Sequence, residues 1–353
     1  MLISKGLLVA FGDCKPTFVG LMSSHYEIYA HIVVIKIGSK IARGLSRMRL
    51  LTKEDVVGIF PPLCSPFDQN EELDLELLRT EVRYNLSLGV RGVCIGGSTG
   101  EGHALDGQEI GEMVKAAQEE VAGRIPVMAG IITTSTREAV KRAKIARDAG
   151  AQAVMVTPPI YQICSDDGIY DFYSTIHKES GLPIVIYNVL TNAPVTPKLM
   201  QRMAANLEET GLIATKESIG GSLETLGELL MTIDDKISVT WAHDWLLYPG
   251  LALGAKGSIS GAAAILPRHS LALWDALQRS DIATAQKLHF AITDVCSQVS
   301  RYNWPAGVKL AVNLQGRKVG PTRAPFNRVP DEQVQRIKDA LDRANAIDLK
   351  VAA

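Results

Sequence analysis

With 353 residues, 46% of them apolar, the chain can bury one large core or two modest ones. A formal net charge of −1 sets it apart from proteins that grip a polyanion, so nucleic acid is not an expected partner. No apolar run reaches the ~18 residues of a membrane span. The five cysteines (Cys14, Cys64, Cys94, Cys164 and Cys296) are odd in number and widely spaced, which speaks for a reducing, cytoplasmic setting and against structural zinc.

Residues 1–47 carry Lys5, Lys15, Lys36, Lys40, Arg43 and Arg47 against only Asp13 and Glu27, and show no periodicity. They are expected to form a basic N-terminal extension that is not part of the barrel, with Met48 opening the catalytic part. A targeting leader is the alternative, although Leu7–Phe11 is short and soon interrupted for the apolar core of one.

From Val56 onward, short β-branched runs alternate with polar or glycine-rich turns and amphipathic stretches, the signature of β-α units around a parallel sheet. Eight strands are expected: Val56–Phe60, Gly92–Ile95, Pro126–Gly130, Ala153–Thr157, Pro183–Tyr187, Leu212–Lys216, Ile237–Trp241 and Gly257–Ser260. Apolar residues recurring at three and four predict helices over Leu73–Leu88, Glu109–Val121, Thr136–Ala149 and Leu223–Met231. Eight such units in roughly 210 residues fit an α/β fold of the (β/α)8 TIM-barrel type over 48–265 better than a doubly wound open sheet. Beyond Ile265 the pattern turns helical, at Arg268–Gln278, Ile282–Arg301 and Asp331–Asn345. Residues 266–353 are therefore expected as a C-terminal helical region, packing as a cap or an oligomer contact.

Lys216 ends the apolar run Leu-Ile-Ala-Thr-Lys of the sixth strand. Burial disfavours an ammonium, so a lysine held in an apolar wall becomes a free amine able to attack a ketone. The plainer alternative is a lysine just past the strand end, reaching to water. Two other strand ends favour the first reading. Tyr187 closes the run Pro-Ile-Val-Ile-Tyr, where a phenol can shuttle protons, and Gly-Gly-Ser-Thr-Gly-Glu-Gly (96–102) follows the second strand. In that turn the glycines let backbone N–H groups approach a ligand, with Gly97 beside the hydroxyls of Ser98 and Thr99; this suits a carboxylate. It lacks the Gly-Lys-Ser/Thr ending of a nucleotide-phosphate loop.

Taken in order, Gly-Ile-Phe-Pro-Pro-Leu-Cys-Ser-Pro-Phe (58–67), Gly-Ser-Thr-Gly-Glu (97–101), Tyr-Asn-Val (187–189), the Lys216 strand and Leu-Gly-Ala-Lys-Gly-Ser-Ile-Ser-Gly (253–261) resemble the dihydrodipicolinate synthase/N-acetylneuraminate lyase family. Pro-Thr-Arg-Ala-Pro-Phe (321–326) is similar to the ending of family tails. The resemblance implies a barrel enzyme that uses or releases pyruvate through an imine. Lys216 matches the imine-forming lysine, Tyr187 the proton-relaying tyrosine, Ser98 its adjoining hydroxyl and Thr99 the hydroxyl that holds the keto acid's carboxylate. It implies no cofactor beyond the covalent imine, no metal, a small-molecule 2-oxo acid as partner, and a homo-oligomer, dimer or tetramer.

Departures from the family pattern bear on the reaction. Where the lysine-pathway synthases carry a carboxylate-binding arginine five residues after the tyrosine, this chain has Asn192, which cannot make a bidentate salt bridge but is expected to bind substrate by donating to and accepting from a sugar hydroxyl. In Thr-Pro-Pro-Ile-Tyr-Gln (157–162), Ile160 falls at or near the position of the tyrosine that those synthases donate across a subunit contact. Tyr161 substitutes for it if the loop shifts by one residue. The Ser98-Thr99 order is more similar to sialic-acid lyases and sugar-acid enzymes than to the synthases.

At the end of the seventh strand, Trp241 and His243 approach the rim where relatives contact the variable half of the substrate. His243 is a candidate for a substrate hydroxyl or a second acid, or else a surface histidine near a helix start capped by Asp244. Glu101 is expected as a structural hydrogen-bonding group. His103, His177, His269 and His289 show no metal-ligand spacing. The leading expectation is a lyase that cleaves or dehydrates a 2-keto-3-deoxy sugar acid. The alternatives are 4-hydroxy-tetrahydrodipicolinate synthase and a catalytically silent binding relative.

Overall fold

The β-branched runs form strands because their side chains pack well on a pleated surface buried on both faces. In the computed structural model, which describes residues 49–326 and 328–349, they are β1 (Gly58–Ile59), β2 (Val93–Ile95), β3 (Val127–Ile131), β4 (Ala153–Val156), β5 (Ile184–Asn188), β6 (Leu212–Glu217), β7 (Ser238–Trp241) and β8 (Gly257–Ser258). All pair in parallel in the order β1-β8-β7-β6-β5-β4-β3-β2. The remaining gap closes just past β1: Pro62 bridges Cys94 in parallel, Leu63 N–H donates to Cys94 O at 2.9 Å, and Cys94 N–H donates to Pro61 O at 3.1 Å. The result is the expected (β/α)8 barrel with C-terminal helices. The expectation for residues 1–47 lies outside the described residues.

Two apolar clusters follow from strand alternation. Residues of one parity point into the barrel, where Phe60, Cys94, Met128, Met155, Val185 and Ala214 pack together. Those of the other parity, such as Ile184, Ile186, Val154 and Val239, pack beneath the surrounding helices. Ser238 Oγ, at the start of β7, donates to Val56 O at 2.5 Å and ties the N-terminal end of the barrel. Gly257 is required where β8 meets β1, since a Cβ there would stand 2.2 Å from Gly58 O.

The helices begin where short polar side chains accept the first free N–H groups: Asp74, Asp106, Ser135, Ser165, Thr196 and Ser222 each cap one. Asp106 and Glu109 form a reciprocal capping box, which starts that helix at Gly107 rather than at Glu109. Helices not anticipated from spacing lie at Asp166–Ser180, Pro197–Ala204 and Trp304–Leu314. After the barrel, Pro267–Gln278 packs against β1, Ile282–Val299 against it and against Asp331–Asn345, and Trp304–Leu314 against the short helix Gly261–Ile265. No described helix is long and apolar enough to cross a membrane.

One buried ion pair ties the helix Leu75–Ser87 to this C-terminal region. Arg317 donates to both Glu81 carboxylate oxygens at 2.9 and 2.5 Å and to the carbonyls of Ala264 and Ile265. Arg317→Ala would leave the Glu81 carboxylate buried and uncompensated. The expected loss is about 3–5 kcal/mol, read as a lower urea midpoint; a midpoint equal to that of the parent would refute the assignment.

Candidate active site

Inward parity and register bring the key side chains together. Tyr187 of β5 stands opposite Lys216 of β6, each two residues beyond an inward-facing core residue, Val185 and Ala214. Both lie near the C-terminal ends of their strands, on the face where barrels of this kind keep their chemistry. Lys216 is 4% exposed and its Nζ lies 3.7 Å from the centroid of the Tyr187 ring. The phenol donates to Ser98 Oγ at 3.1 Å. Cys94 shares the barrel interior, but burial pushes its thiol up to about 12, which keeps it protonated and a poor competitor for an electrophile.

The turn that carries Ser98 and Thr99 folds back on itself. Glu101 N–H donates to Ser98 O at 3.1 Å and Gly102 N–H to Gly97 O at 3.0 Å. Gly102 has no alternative there, because a Cβ would overlap Gly96 O at 1.8 Å. Thr99 is buried at the floor of a cavity of about 200 Å³ that also exposes Lys216, Tyr187 and Ser98. Larger clefts of about 610 and 480 Å³ lie among the tail helices, away from these strand ends. The smaller one is the candidate site because the amine, phenol and hydroxyls converge on it.

The opposite parity braces the same strand ends. Asn188 donates to Glu217 Oε2 at 2.7 Å and to Val195 O at 3.0 Å, and accepts from Val195 N–H at 2.9 Å. Glu217 accepts from Ile219 N–H at 2.8 Å, and burial raises its carboxyl pKa. These two residues follow Tyr187 and Lys216 directly, so they clamp the loops on which those side chains depend. Their adjacency in sequence was a visible signal whose purpose required the fold.

The outer wall holds residues that sequence reasoning missed. Val189, Ala242, Trp245 and Trp304 line the cavity. The two indole centroids lie 6.5 Å apart, and Trp245 Nε1 donates to Ser297 Oγ at 2.9 Å. Gly261 makes room for Trp304, whose Cζ2 lies 2.2 Å from where a Cβ would be. Asp244 also lines the cavity. Instead of capping the helical turn after His243 with its side chain, it accepts from Ala262 N–H at 2.7 Å. Burial pushes its carboxyl up to about 6, an effect that the hydrogen bond from Ala262 N–H partly offsets.

Other sequence candidates stand apart. Asn192 is exposed on the loop after β5 and does not line the cavity, because Asn188 draws in Val195 while residues 191–192 turn outward. His243 lies beside the cavity, its ring 6.1 Å from Trp241 and 5.7 Å from Trp245, and burial lowers its pKa. Tyr161 is 85% exposed, with φ +88°, on the loop after β4. Ile160 is half-buried and its N–H donates to Thr133 O. Among the described residues no group of three or more His, Cys, Asp and Glu side chains is arranged to hold a metal ion.

Comparison with known proteins places the chain in a family. The dihydrodipicolinate synthetase family profile matches residues 55–344. A 4-hydroxy-tetrahydrodipicolinate synthase from Methanospirillum hungatei is 34% identical over 292 residues, covering 81% of this chain and 98% of that protein. Among solved structures, a prophage protein of the dihydrodipicolinic acid synthase family from E. coli K12, in complex with pyruvate, superposes with a TM-score of 0.77 at 26% identity. That match covers 83% of this chain and 99% of the other. A monomeric dihydrodipicolinate synthase variant superposes with a TM-score of 0.78 at 27% identity, covering 83% and 98%. The chain belongs to the dihydrodipicolinate synthetase family and is an enzyme of the lyase class.

Asp244 makes the stability of the fold depend on pH. Its folded carboxyl at about 6, against an ordinary 3.8, keeps a proton that the unfolded chain has already released between about pH 4 and 6. Its contribution to stability therefore falls as pH rises through that window and stays low above it. Asp244→Asn keeps an acceptor for Ala262 N–H and removes this dependence. The thermal midpoint of the variant is expected to gain on that of the parent from pH 4 to 6, with a constant difference above. A pH-independent difference would place the Asp244 pKa outside this window.

Proposed function

We propose that the protein is a Schiff-base-forming lyase that cleaves or dehydrates a 2-keto-3-deoxy sugar acid, with pyruvate or another 2-oxo acid as product. The carrying observation is the Lys216–Tyr187–Ser98 alignment, with the amine 3.7 Å from the ring centroid and the phenol hydrogen-bonded to Ser98. The Lys216 amine adds to the ketone carbon and water leaves, giving a protonated imine. In cleavage, the hydroxyl on C4 loses its proton, the C3–C4 bond breaks, and its electron pair passes into the imine as an enamine. The aldehyde departs, C3 takes up a proton, and water hydrolyses the imine to release pyruvate and free Lys216. Tyr187 is the group placed to move these protons, with Ser98 as its partner. The lysine itself supplies the electron sink, so the reaction calls for no metal or separate cofactor.

The substrate carboxylate is assigned to the turn at Gly97, Ser98 and Thr99. The wall beyond Lys216 supports an uncharged aldehyde half. Indole faces and Val189 can pack against the C–H bonds of a carbon chain, while Ser218 and Asp244 offer hydrogen-bonding groups. The second reading is 4-hydroxy-tetrahydrodipicolinate synthase, favoured by the name of the Methanospirillum hungatei relative. Against it stands Asn192 in place of an arginine, with no arginine lining the cavity.

The free cysteines Cys64, Cys94, Cys164 and Cys296 fit action in the cytoplasm. The exposed Tyr161 and Ile163 fit a homo-oligomer, in which a second copy covers this loop.

Incubation with pyruvate and borohydride should attach a reduced adduct to Lys216, absent in Lys216→Arg; an unmodified Lys216 would falsify the imine assignment. Tyr187→Phe is expected to lose ~10²-fold or more in kcat while remaining folded. With one preparation, at least one 2-keto-3-deoxy acid should release pyruvate or lose water. Pyruvate plus aspartate semialdehyde should condense poorly; the opposite pattern would restore the synthase reading.

A further inference from the structure

Two residues beyond Thr99, the Glu101 carboxylate is fully buried, on backbone held at φ +51°. Its partners come from the far end of the chain. Lys309, 2% exposed on the helix Trp304–Leu314, places Nζ 2.6 Å from Glu101 Oε1, and Arg323 N–H donates to Oε2 at 3.0 Å. Lys309 also donates to Pro321 O at 2.6 Å.

The Arg323 guanidinium grips the other end of the same turn. It pairs with Glu109 at 2.6 Å and donates to Ala104 O at 2.7 Å. Lys309 and Arg323 both lie 4.2 Å from the centroid of the Phe67 ring, in the loop after β1. The segment from Ser98 to Glu109, which carries the substrate-facing hydroxyls, is thus held at two points by the C-terminal region. Neither cation lines the active-site cavity.

We propose that Lys309 and Arg323 are positioning residues: through Glu101 and Glu109 they hold the Ser98–Thr99 turn in the shape that receives the substrate carboxylate. The C-terminal segment thereby sets affinity for a 2-oxo acid without touching it. Removing either cation leaves an acidic partner without its counter-charge, and the Glu101 carboxylate, buried in the turn, gains solvation only if the turn rearranges. Such a rearrangement moves Thr99 and Ser98 away from the carboxylate but leaves the Lys216 amine on its rigid strand. The inference rests on the imine reading above and adds to it a selective consequence.

The test is borohydride trapping in the full chain, with pyruvate and, separately, with acetone, which has the ketone but no carboxylate. In Arg323→Ala, and in Lys309→Met, the pyruvate concentration for half-maximal trapping should rise roughly tenfold or more, the scale of one hydrogen bond to a charged group. Acetone trapping should stay within about twofold of the parent, well inside one such bond. Arg323→Lys, which keeps a charge beside Glu109 and Phe67, should recover part of the pyruvate affinity. Arg323 is partly solvent-exposed, so its variants carry the test even if Lys309→Met does not fold. A lower thermal midpoint with unchanged pyruvate half-saturation would overturn the proposal, as would equal losses for pyruvate and acetone. If the parent traps neither ketone, the imine reading fails first and this one with it.

Discussion

Alternation of side chains in a closed parallel barrel is the constraint on which the site depends. Each strand offers inward positions only at every second residue, and parallel register sets their height. The β5–β6 pairing puts Tyr187 level with Lys216 at the top of the interior, above Val185 and Ala214. A one-residue slip of β6 would turn Lys216 toward the helices and present Thr215 or Glu217 in its place. The amine is therefore aimed by the whole sheet, down to the close β1–β8 approach that Gly257 allows.

A site of this kind gathers polar groups in an apolar setting, and each needs compensation. The fold meets this need locally, in separate clamps. Glu217 is satisfied by Asn188 and the backbone after β6, Asp244 by the N-terminus of Gly261–Ile265, and Glu101 by Lys309 and Arg323 N–H. Each clamp fixes one loop at the C-terminal rim, and the side chains that converge on the cavity inherit that rigidity. The buried pairs are better understood as devices for geometry than as sources of net stability, because desolvation offsets much of their attraction.

The C-terminal helices are part of the site. Trp304, at the start of its helix, walls the cavity directly, while Lys309 one and a half turns on pairs with Glu101 in the turn that carries Ser98 and Thr99. Seated over Gly261, the Trp304 indole shares the lining of the cavity with Trp245 and Lys216. On the function proposed above, chemistry at Lys216 and selection of what reaches it would be divided between the barrel and the tail.

Much of the barrel was legible in the sequence because its signals are local: β-branched runs bounded by turns, and apolar residues at helical spacing. Lys216, Tyr187 and the Ser98-Thr99 turn stood out for the same reason, as polar groups at the ends of apolar runs. The helices Asp166–Ser180 and Trp304–Leu314 escaped although Ser165 and Asn303 cap them; the first carries a helical apolar face at Ile169, Phe172, Tyr173 and Ile176 that was there to be read, whereas in the second apolar residues fall on most sides and blur the period. Tertiary structure alone decided that Asn192 turns outward while Asp244 turns in, that Trp304 joins Trp245 across the cavity, and that Glu101 finds Lys309. Those contacts link residues far apart along the chain, and no local pattern specifies where a chain returns. Strand parity is written in neighbouring residues, but the partner of a buried charge is chosen only when the layers close.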